Sequence, residues 1–199
     1  MKINSIQKIC KSQKRIILFQ TPSGVQWISD GFAIFPLYGL PSLDCESILV
    51  MFDVPEKKQD KISCEIKNGL PEAYDFSDAA DGESQLEFGS ISICAKGMTL
   101  LPLKTSFGIT YINQKYLAPF SDSENGVTLY ERTTPTGQTY IAVKEGFLLT
   151  GIILPYDIVT KDFVSSLKEI YELSAVAESN KKSLPDDEEE QMKLNDFID

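Results

Sequence analysis

The chain has 199 residues, a formal net charge of −10 at pH 7 and no histidine. Its length is enough for one or two small domains, and its content of 42% hydrophobic and 24% charged residues is ordinary for a globular protein. The lack of histidine excludes Ser–His and Cys–His nucleophile systems and every His-ligated metal site.

Hydropathy and cysteine spacing indicate the compartment. No apolar run approaches the roughly 18 residues of a membrane-spanning helix, and the N-terminal segment mixes charged with apolar residues, unlike a signal peptide. The four cysteines are widely spaced and form no Cys-x-x-Cys pair: they are Cys10, Cys45, Cys64 and Cys94. This spacing predicts reduced, partly buried thiols in a cytoplasmic protein that does not contact membranes.

The N-terminal segment predicts one helix followed by a strand meander. Ile3, Ile6 and Ile9 recur at helical spacing, which indicates an amphipathic helix over residues 2–13. Three strands should follow, over residues 15–20, 25–29 and 32–37. Asp30-Gly31 is a strong hairpin signal between the last two strands.

The same segment is basic on an otherwise acidic chain. Residues 1–29 contain no Asp or Glu. Four basic residues that could meet phosphates without reading bases are the candidate DNA-binding set: Lys8, Lys11, Lys14 and Arg15. The alternative interpretation is a solvated helix face with no ligand.

The middle of the chain predicts a capped helix, a strand and an acidic loop. Ser42 or Asp44 can cap a helix that begins at Cys45, and residues 62–66 alternate as a strand. Residues 74–84 place aspartates at a spacing of three, whereas a calcium loop of the EF-hand type needs two, so an exposed loop without metal is expected. The loop also marks the expected boundary between two units, residues 1–72 and residues 85–178.

The following segment predicts more strands around one short helix. Strand patterns occur over residues 86–93, 98–103 and 108–112, and Pro119 limits the helix that comes next to a turn or two. Three further strands are expected, over residues 127–131, 139–144 and 147–154. With hairpin signals throughout, the chain predicts an α+β fold, mainly antiparallel sheet with a few short helices.

The segment from 111 to 155 resembles the closing segment of a DNA polymerase sliding clamp, the bacterial beta-type processivity factor. The matching residues are Asn113, Tyr116 and Leu117, then Val127 and Leu129, then Tyr140 and Ala142, then Ile153, Leu154 and Pro155. The resemblance implies sliding-clamp-like helix-and-meander units and a phage- or prophage-type replication accessory protein. It also implies a homo-oligomer that encircles DNA and works with a DNA polymerase or another replication protein.

The C-terminal region predicts a helix and then an acidic tail without stable structure, residues 179–199. Gln191, Leu194 and Phe197 resemble the short peptide by which replication proteins bind a clamp. The alternative is a frayed tail with no partner.

No glycine-rich phosphate loop, carboxylate pair or nucleophile elbow is present, so no catalytic residues and no cofactor are expected. The function that the sequence favours is therefore a non-enzymatic, clamp-like DNA-replication accessory protein. A protein-binding adaptor of the phage type, which docks through its C-terminal tail, is the alternative.

Overall fold

The computed structural model describes residues 2–95, 97–123 and 126–182. Its helices are α1 (Ile3–Gln13), α2 (Cys45–Met51), α3 (Glu56–Gln59), a 3₁₀ helix (Gln114–Phe120) and α4 (Lys161–Lys182). Its strands are β1 (Arg15–Gln20), β2 (Trp27–Ser29), β3 (Ala33–Pro36), β4 (Ser63–Asn68), β5 (Ser84–Gln85), β6 (Glu87–Phe88), β7 (Ile93–Ala95), β8 (Met98–Thr105), β9 (Gly108–Asn113), β10 (Thr128–Thr133), β11 (Thr139–Glu145) and β12 (Leu148–Ile153).

The strands form two sheets that confirm the predicted α+β class. The larger sheet has eight strands in the order β4-β1-β2-β3-β12-β11-β10-β5. In the smaller sheet, β8 pairs with β9 along one edge and with β6 and β7 along the other. Among the described strands only β1 and β4 pair in parallel. Antiparallel pairing dominates because short turns connect most successive strands.

A helix precedes each of two three-stranded meanders in the larger sheet. α1 leads into β1, β2 and β3, and the 3₁₀ helix leads into β10, β11 and β12. The meanders join where β3 pairs antiparallel with β12, with Ile34 opposite Ile152. Glycine is needed beside this junction, because a Cβ on Gly151 would lie 3.0 Å from the Phe120 ring and 3.2 Å from the Ile34 carbonyl oxygen.

The hydrophobic core lies on both faces of the larger sheet. On one face, Ile6 and Ile9 of α1 pack with buried residues of both meanders. On the other face, the segment around Phe76 covers a second cluster, where the Trp27 and Phe76 rings meet edge-on at 5.1 Å. Trp27 is buried, as its alternation with Val25 predicts. Burial of apolar surface at about 25 cal/mol per Å² is the main contribution to the stability of such a layered fold.

The chain divides into two units after Tyr156, and the described part of the second unit is residues 157–182. The predicted units 1–72 and 85–178 both supply strands to the eight-stranded sheet. In the C-terminal unit, the Thr160 hydroxyl accepts a hydrogen bond from the Phe163 amide at 3.2 Å at the start of α4. Among the helices that the structure describes, none is both long and apolar enough to cross a lipid bilayer.

The prediction of reduced thiols is wrong for two of the four cysteines. Cys45, the first residue of α2, and Cys64 in β4 form a disulfide, with their Cα atoms 5.8 Å apart. They meet because β4 returns alongside β1, which brings an edge strand next to the first turn of α2. Cys10 and Cys94 are free, the first buried and the second exposed.

Candidate functional site

The predicted DNA-binding residues lie along and just beyond α1. Lys8 is exposed on the helix, and Lys11 lies one turn later in its last turn. Lys14 adopts a left-handed conformation with φ 54°, and its amide donates to the carbonyls of Cys10 and Lys11. This C-cap ends the helix and turns the chain directly into β1, which begins at Arg15.

Lys11 and Lys14 line a groove with two lysines from another part of the chain. Lys58 belongs to α3 and Lys61 follows it, and both face the same groove of about 570 Å³. The groove is lined by four lysines and one carboxylate, that of Asp53. Its charge therefore opposes that of the protein as a whole, which is −10. We call this groove, with its four lysines, the basic groove.

Hydrogen bonds to backbone carbonyls hold the walls of the basic groove together. The Ser63 amide donates to the Lys14 carbonyl at 2.9 Å where β4 begins beside β1. The Lys11 ammonium donates to the Asp53 carbonyl at 3.3 Å. The side-chain amide of Gln7 also donates to the Phe52 carbonyl, which ties α1 to the end of α2. The lysines are thus presented by a hydrogen-bonded backbone, and Lys14, Lys58 and Lys61 are exposed.

Sequence reasoning did not identify Lys58 and Lys61. The signal that could have identified them is the charged segment that follows Pro55. Pro55 precedes the short helix α3, and the Lys58 amide donates to its carbonyl at 2.7 Å. That turn directs Lys58 and Lys61 into the groove. The two lysines lie there because β4 returns in parallel alongside β1, which the sequence alone does not indicate.

Lys8 and Arg15 do not line the basic groove. Arg15 forms an ion pair with Glu65 at 3.1 Å, and half of its side chain is exposed. It lines a different cavity of about 370 Å³, together with Lys67 and the apolar residues Ile17 and Phe19. The structure therefore brings together two of the four predicted DNA-binding residues.

The residues that carry the clamp resemblance are mainly structural in this fold. Asn113 and Tyr116 are buried, and the Asn113 side chain accepts a hydrogen bond from the Lys115 amide at 3.1 Å, which caps the 3₁₀ helix. Burial raises the pKa of the Tyr116 hydroxyl, and the nearby Asp30 adds to the effect. Burial likewise lowers the pKa of Lys115, whose ammonium lies 4.7 Å from the centre of the Tyr116 ring.

The acidic loop uses two of its carboxylates to bind its own backbone and a neighbouring strand. Asp75 accepts a hydrogen bond from the Ser77 amide at 2.8 Å. Hydrogen bonding to Ser77, first through its side chain and then through its amide, lowers the pKa of Asp75. Asp78 accepts from the Leu149 amide of β12 at 2.8 Å. Within the described part of the chain, no three His, Cys, Asp or Glu residues are grouped so that they could hold a metal ion.

The second predicted site, Gln191, Leu194 and Phe197, lies outside the described residues. No protein-family model, no curated protein and no solved structure shows significant similarity to the chain. The basic groove is therefore the feature from which a function can be argued.

Proposed function

We propose that this protein is a non-enzymatic accessory protein of DNA replication, of the sliding-clamp kind, and that the basic groove contacts the DNA backbone. The observation that carries the proposal is the meeting of Lys11 and Lys14 with Lys58 and Lys61 on a protein of net charge −10. A concentrated positive surface on an acidic body attracts phosphates locally, while the remaining surface repels them.

The chemistry of the groove suits phosphates better than bases. Lysine ammonium groups are compact charges on flexible stems, and they do not impose the planar, bidentate geometry with which arginine reads guanine. Contacts of this kind position a protein on DNA without sequence preference. A processivity factor needs that property, because it must move along any sequence.

The order of the helices and strands also supports the proposed sliding-clamp function. Helix and meander occur twice, as α1 with β1–β3 and as the 3₁₀ helix with β10–β12. Repeated helix-and-meander units are what the clamp resemblance implies. The proposed partners are therefore DNA, a DNA polymerase or another replication protein, and further copies of this chain.

The test compares retention of the protein on linear DNA with blocked ends and on the same DNA with free ends. A ring stays on blocked DNA and slides off free ends. The test variant changes Lys11, Lys14, Lys58 and Lys61 to Glu. The control variant makes the same change in overall charge at four exposed lysines outside the groove: Lys67, Lys104, Lys161 and Lys168.

We expect the groove variant to lose retention and the control variant to keep most of it. Equal retention by both variants and the native protein would contradict the proposal. If changing Leu194 and Phe197 to Ala then abolished capture of a replication protein, the adaptor function would replace it.

A further inference from the structure

A cavity on the face of the larger sheet away from α1 has an apolar floor and two cations at its rim. Its volume is about 370 Å³, within the range of roughly 300–1,000 Å³ that small-molecule sites occupy. The floor crosses three neighbouring strands, because Ile17 of β1 lies opposite Ser29 of β2, and Ser29 lies opposite Ile34 of β3. These three side chains therefore share one face of the sheet.

The walls of the cavity are mainly apolar. The Leu154 amide donates to the Phe32 carbonyl at 2.8 Å, which holds these two lining residues together. The segment that follows β4 supplies Leu70, Pro71 and Tyr74. Phe32 is 40% exposed and Tyr74 is half-buried, so apolar surface remains open to a ligand. A ligand that fits this cavity therefore has an apolar body.

Two cations line the cavity and share one carboxylate. Arg15 Nη2 lies 3.1 Å from Glu65 Oε1, and Lys67 Nζ lies 3.7 Å from the same oxygen. Both basic side chains are 50% exposed, so solutes can reach them. Glu65 is not among the lining residues, and no described residue that lines the cavity is acidic. The rim therefore keeps one positive charge that Glu65 does not offset.

Donor atoms remain available on this lining. Within the described part of the chain, the Arg15 side chain donates to Glu65 through Nη2, which leaves Nη1 and Nε free. Nη1 lies over Gly31, another lining residue, because a Cβ on Gly31 would be 3.3 Å from it. Ser29 is 3% exposed, and its hydroxyl accepts from the Gly31 amide at 2.9 Å, so its own proton remains to be donated. Arg15 and Ser29 thus present donors on both sides of one glycine.

We infer that this cavity binds an organic acid with an apolar body, whose carboxylate accepts from Arg15 Nη1 and is attracted by Lys67. A guanidinium suits a carboxylate, since its planar N–H groups match the two oxygens. A single negative charge also matches the one positive charge left at the rim, whereas a phosphate monoester carries nearly two at pH 7. The apolar body lies on Ile17 and Ile34 and displaces water from them. The lysines of the basic groove do not line this cavity, so the inference does not depend on DNA binding.

Two kinds of acid share this chemistry, a linear aliphatic acid and an aromatic acid. The experiment titrates the full-length protein by calorimetry at low ionic strength with octanoate and, separately, with 4-phenylbutyrate. Acetate serves as the carboxylate without an apolar body, and octylammonium serves as the same body with the opposite charge. Saturable binding of either acid supports the inference, and the tighter of the two identifies the ligand class.

The expected pattern separates the head of the ligand from its body. Acetate should bind at least about a hundredfold more weakly than octanoate, because it has no methylene groups to bury. Octylammonium should bind at least about tenfold more weakly, because the rim repels it. The double variant Arg15→Gln and Lys67→Gln should weaken octanoate binding by about tenfold or more. Lys104→Gln, which changes an exposed lysine of β8 outside the cavity, should leave binding unchanged.

Three results would overturn the inference. They are the absence of saturable binding of both acids, equal affinity for octanoate and either control ligand, and undiminished binding of octanoate by the double variant. Thermal melting checks that the double variant is folded, as we expect because both side chains are half exposed. If it is not folded, Lys67→Gln decides instead. That variant should bind octanoate about threefold more weakly, and unchanged binding would overturn the inference.

Discussion

The Tyr116 hydroxyl donates a hydrogen bond to the Asp30 carboxylate at 2.8 Å, across 86 positions of sequence. Tyr116 lies in the 3₁₀ helix that precedes the second meander, and Asp30 lies in the turn between β2 and β3 of the first. The other oxygen of Asp30 accepts from the amides of Phe32 and Ala33 at 2.9 and 3.0 Å. One buried carboxylate thus shapes a hairpin turn and ties it to the other half of the sheet.

The first prediction concerns this link. Tyr116→Phe should lower the free energy of unfolding by about 2 kcal/mol, since it leaves a buried charged oxygen of Asp30 without its neutral donor. The Lys115 ammonium, 3.9 Å away, would still face that oxygen. Urea unfolding measures the loss. Tyr38→Phe is the control, because Tyr38 is 57% exposed, and it should change stability by less than about 0.5 kcal/mol.

The Asp30–Tyr116 pair also shows what the sequence could predict and what it could not. Alternation of apolar residues and turn dipeptides are local signals, and they predicted most of the strands, the helix α1 and the antiparallel class. Pro119 correctly limited the helix beside Tyr116, which is a 3₁₀ helix. The partner of a side chain 86 positions away has no local signal. It depends on which strands become neighbours.

The same limit applies to the basic groove and to the disulfide. Both depend on β4 pairing in parallel with β1, and the chain between these two strands runs through β2, β3, α2 and α3. Lys58 and Lys61 then lie beside Lys11, and Cys64 lies beside Cys45. Cysteine spacing alone predicted reduced thiols, because widely separated cysteines can meet only through such tertiary pairing.

The second prediction concerns the disulfide. Its two cysteines are separated by 19 positions, and closing a loop of that size stabilises a fold by about 3 kcal/mol. Reduction with dithiothreitol, or Cys45→Ser, should therefore lower the melting temperature by several degrees. Cys94→Ser should not, since Cys94 is exposed and outside the disulfide. Thiol titration of the unreduced, unfolded protein should find two thiols; four would contradict the pairing.

The third prediction concerns the buried ion cluster of Glu83, Arg132 and Lys144. Burial acts to raise the pKa of Glu83, but the hydrogen bonds from Lys144 and Arg132 outweigh it and the pKa is lowered. A lowered carboxylate pKa stabilises the fold above the unfolded value of 4.5, and this stability is lost as the pH falls through the folded value. The free energy of unfolding should therefore fall below about pH 4.5.

Glu83→Gln isolates this contribution. The change leaves the cations of Arg132 and Lys144, with side chains only 2% and 5% exposed, without their carboxylate. We expect a loss of about 3 kcal/mol at pH 7 and a weaker dependence of stability on acid. Glu87→Gln is the control, since Glu87 pairs with Lys104 at the surface and should contribute less than about 1 kcal/mol. An unchanged acid transition in Glu83→Gln would contradict the assignment.

The fourth prediction is the salt dependence of DNA binding by the basic groove. Each phosphate contact that is lost should lower the slope of log affinity against log salt concentration by about 0.9 on duplex DNA. Lys11→Gln, Lys14→Gln, Lys58→Gln and Lys61→Gln should each produce such a step, because all four lysines line one groove. The step should be the same for unrelated DNA sequences, since phosphate contacts carry no base information.

Lys8→Gln and Arg15→Gln provide the comparison within the originally predicted set. Neither residue lines the groove, and Arg15 is already paired with Glu65 at 3.1 Å. Their slopes should stay closer to that of the native protein than the slopes of the groove variants. Slopes are measured by fluorescence anisotropy on blocked-end duplexes over a range of salt concentrations. A different result would be that Lys8→Gln and Arg15→Gln lower the slope by the full amount while Lys58→Gln and Lys61→Gln leave it unchanged. The DNA would then lie along the exposed face of α1 and not in the groove.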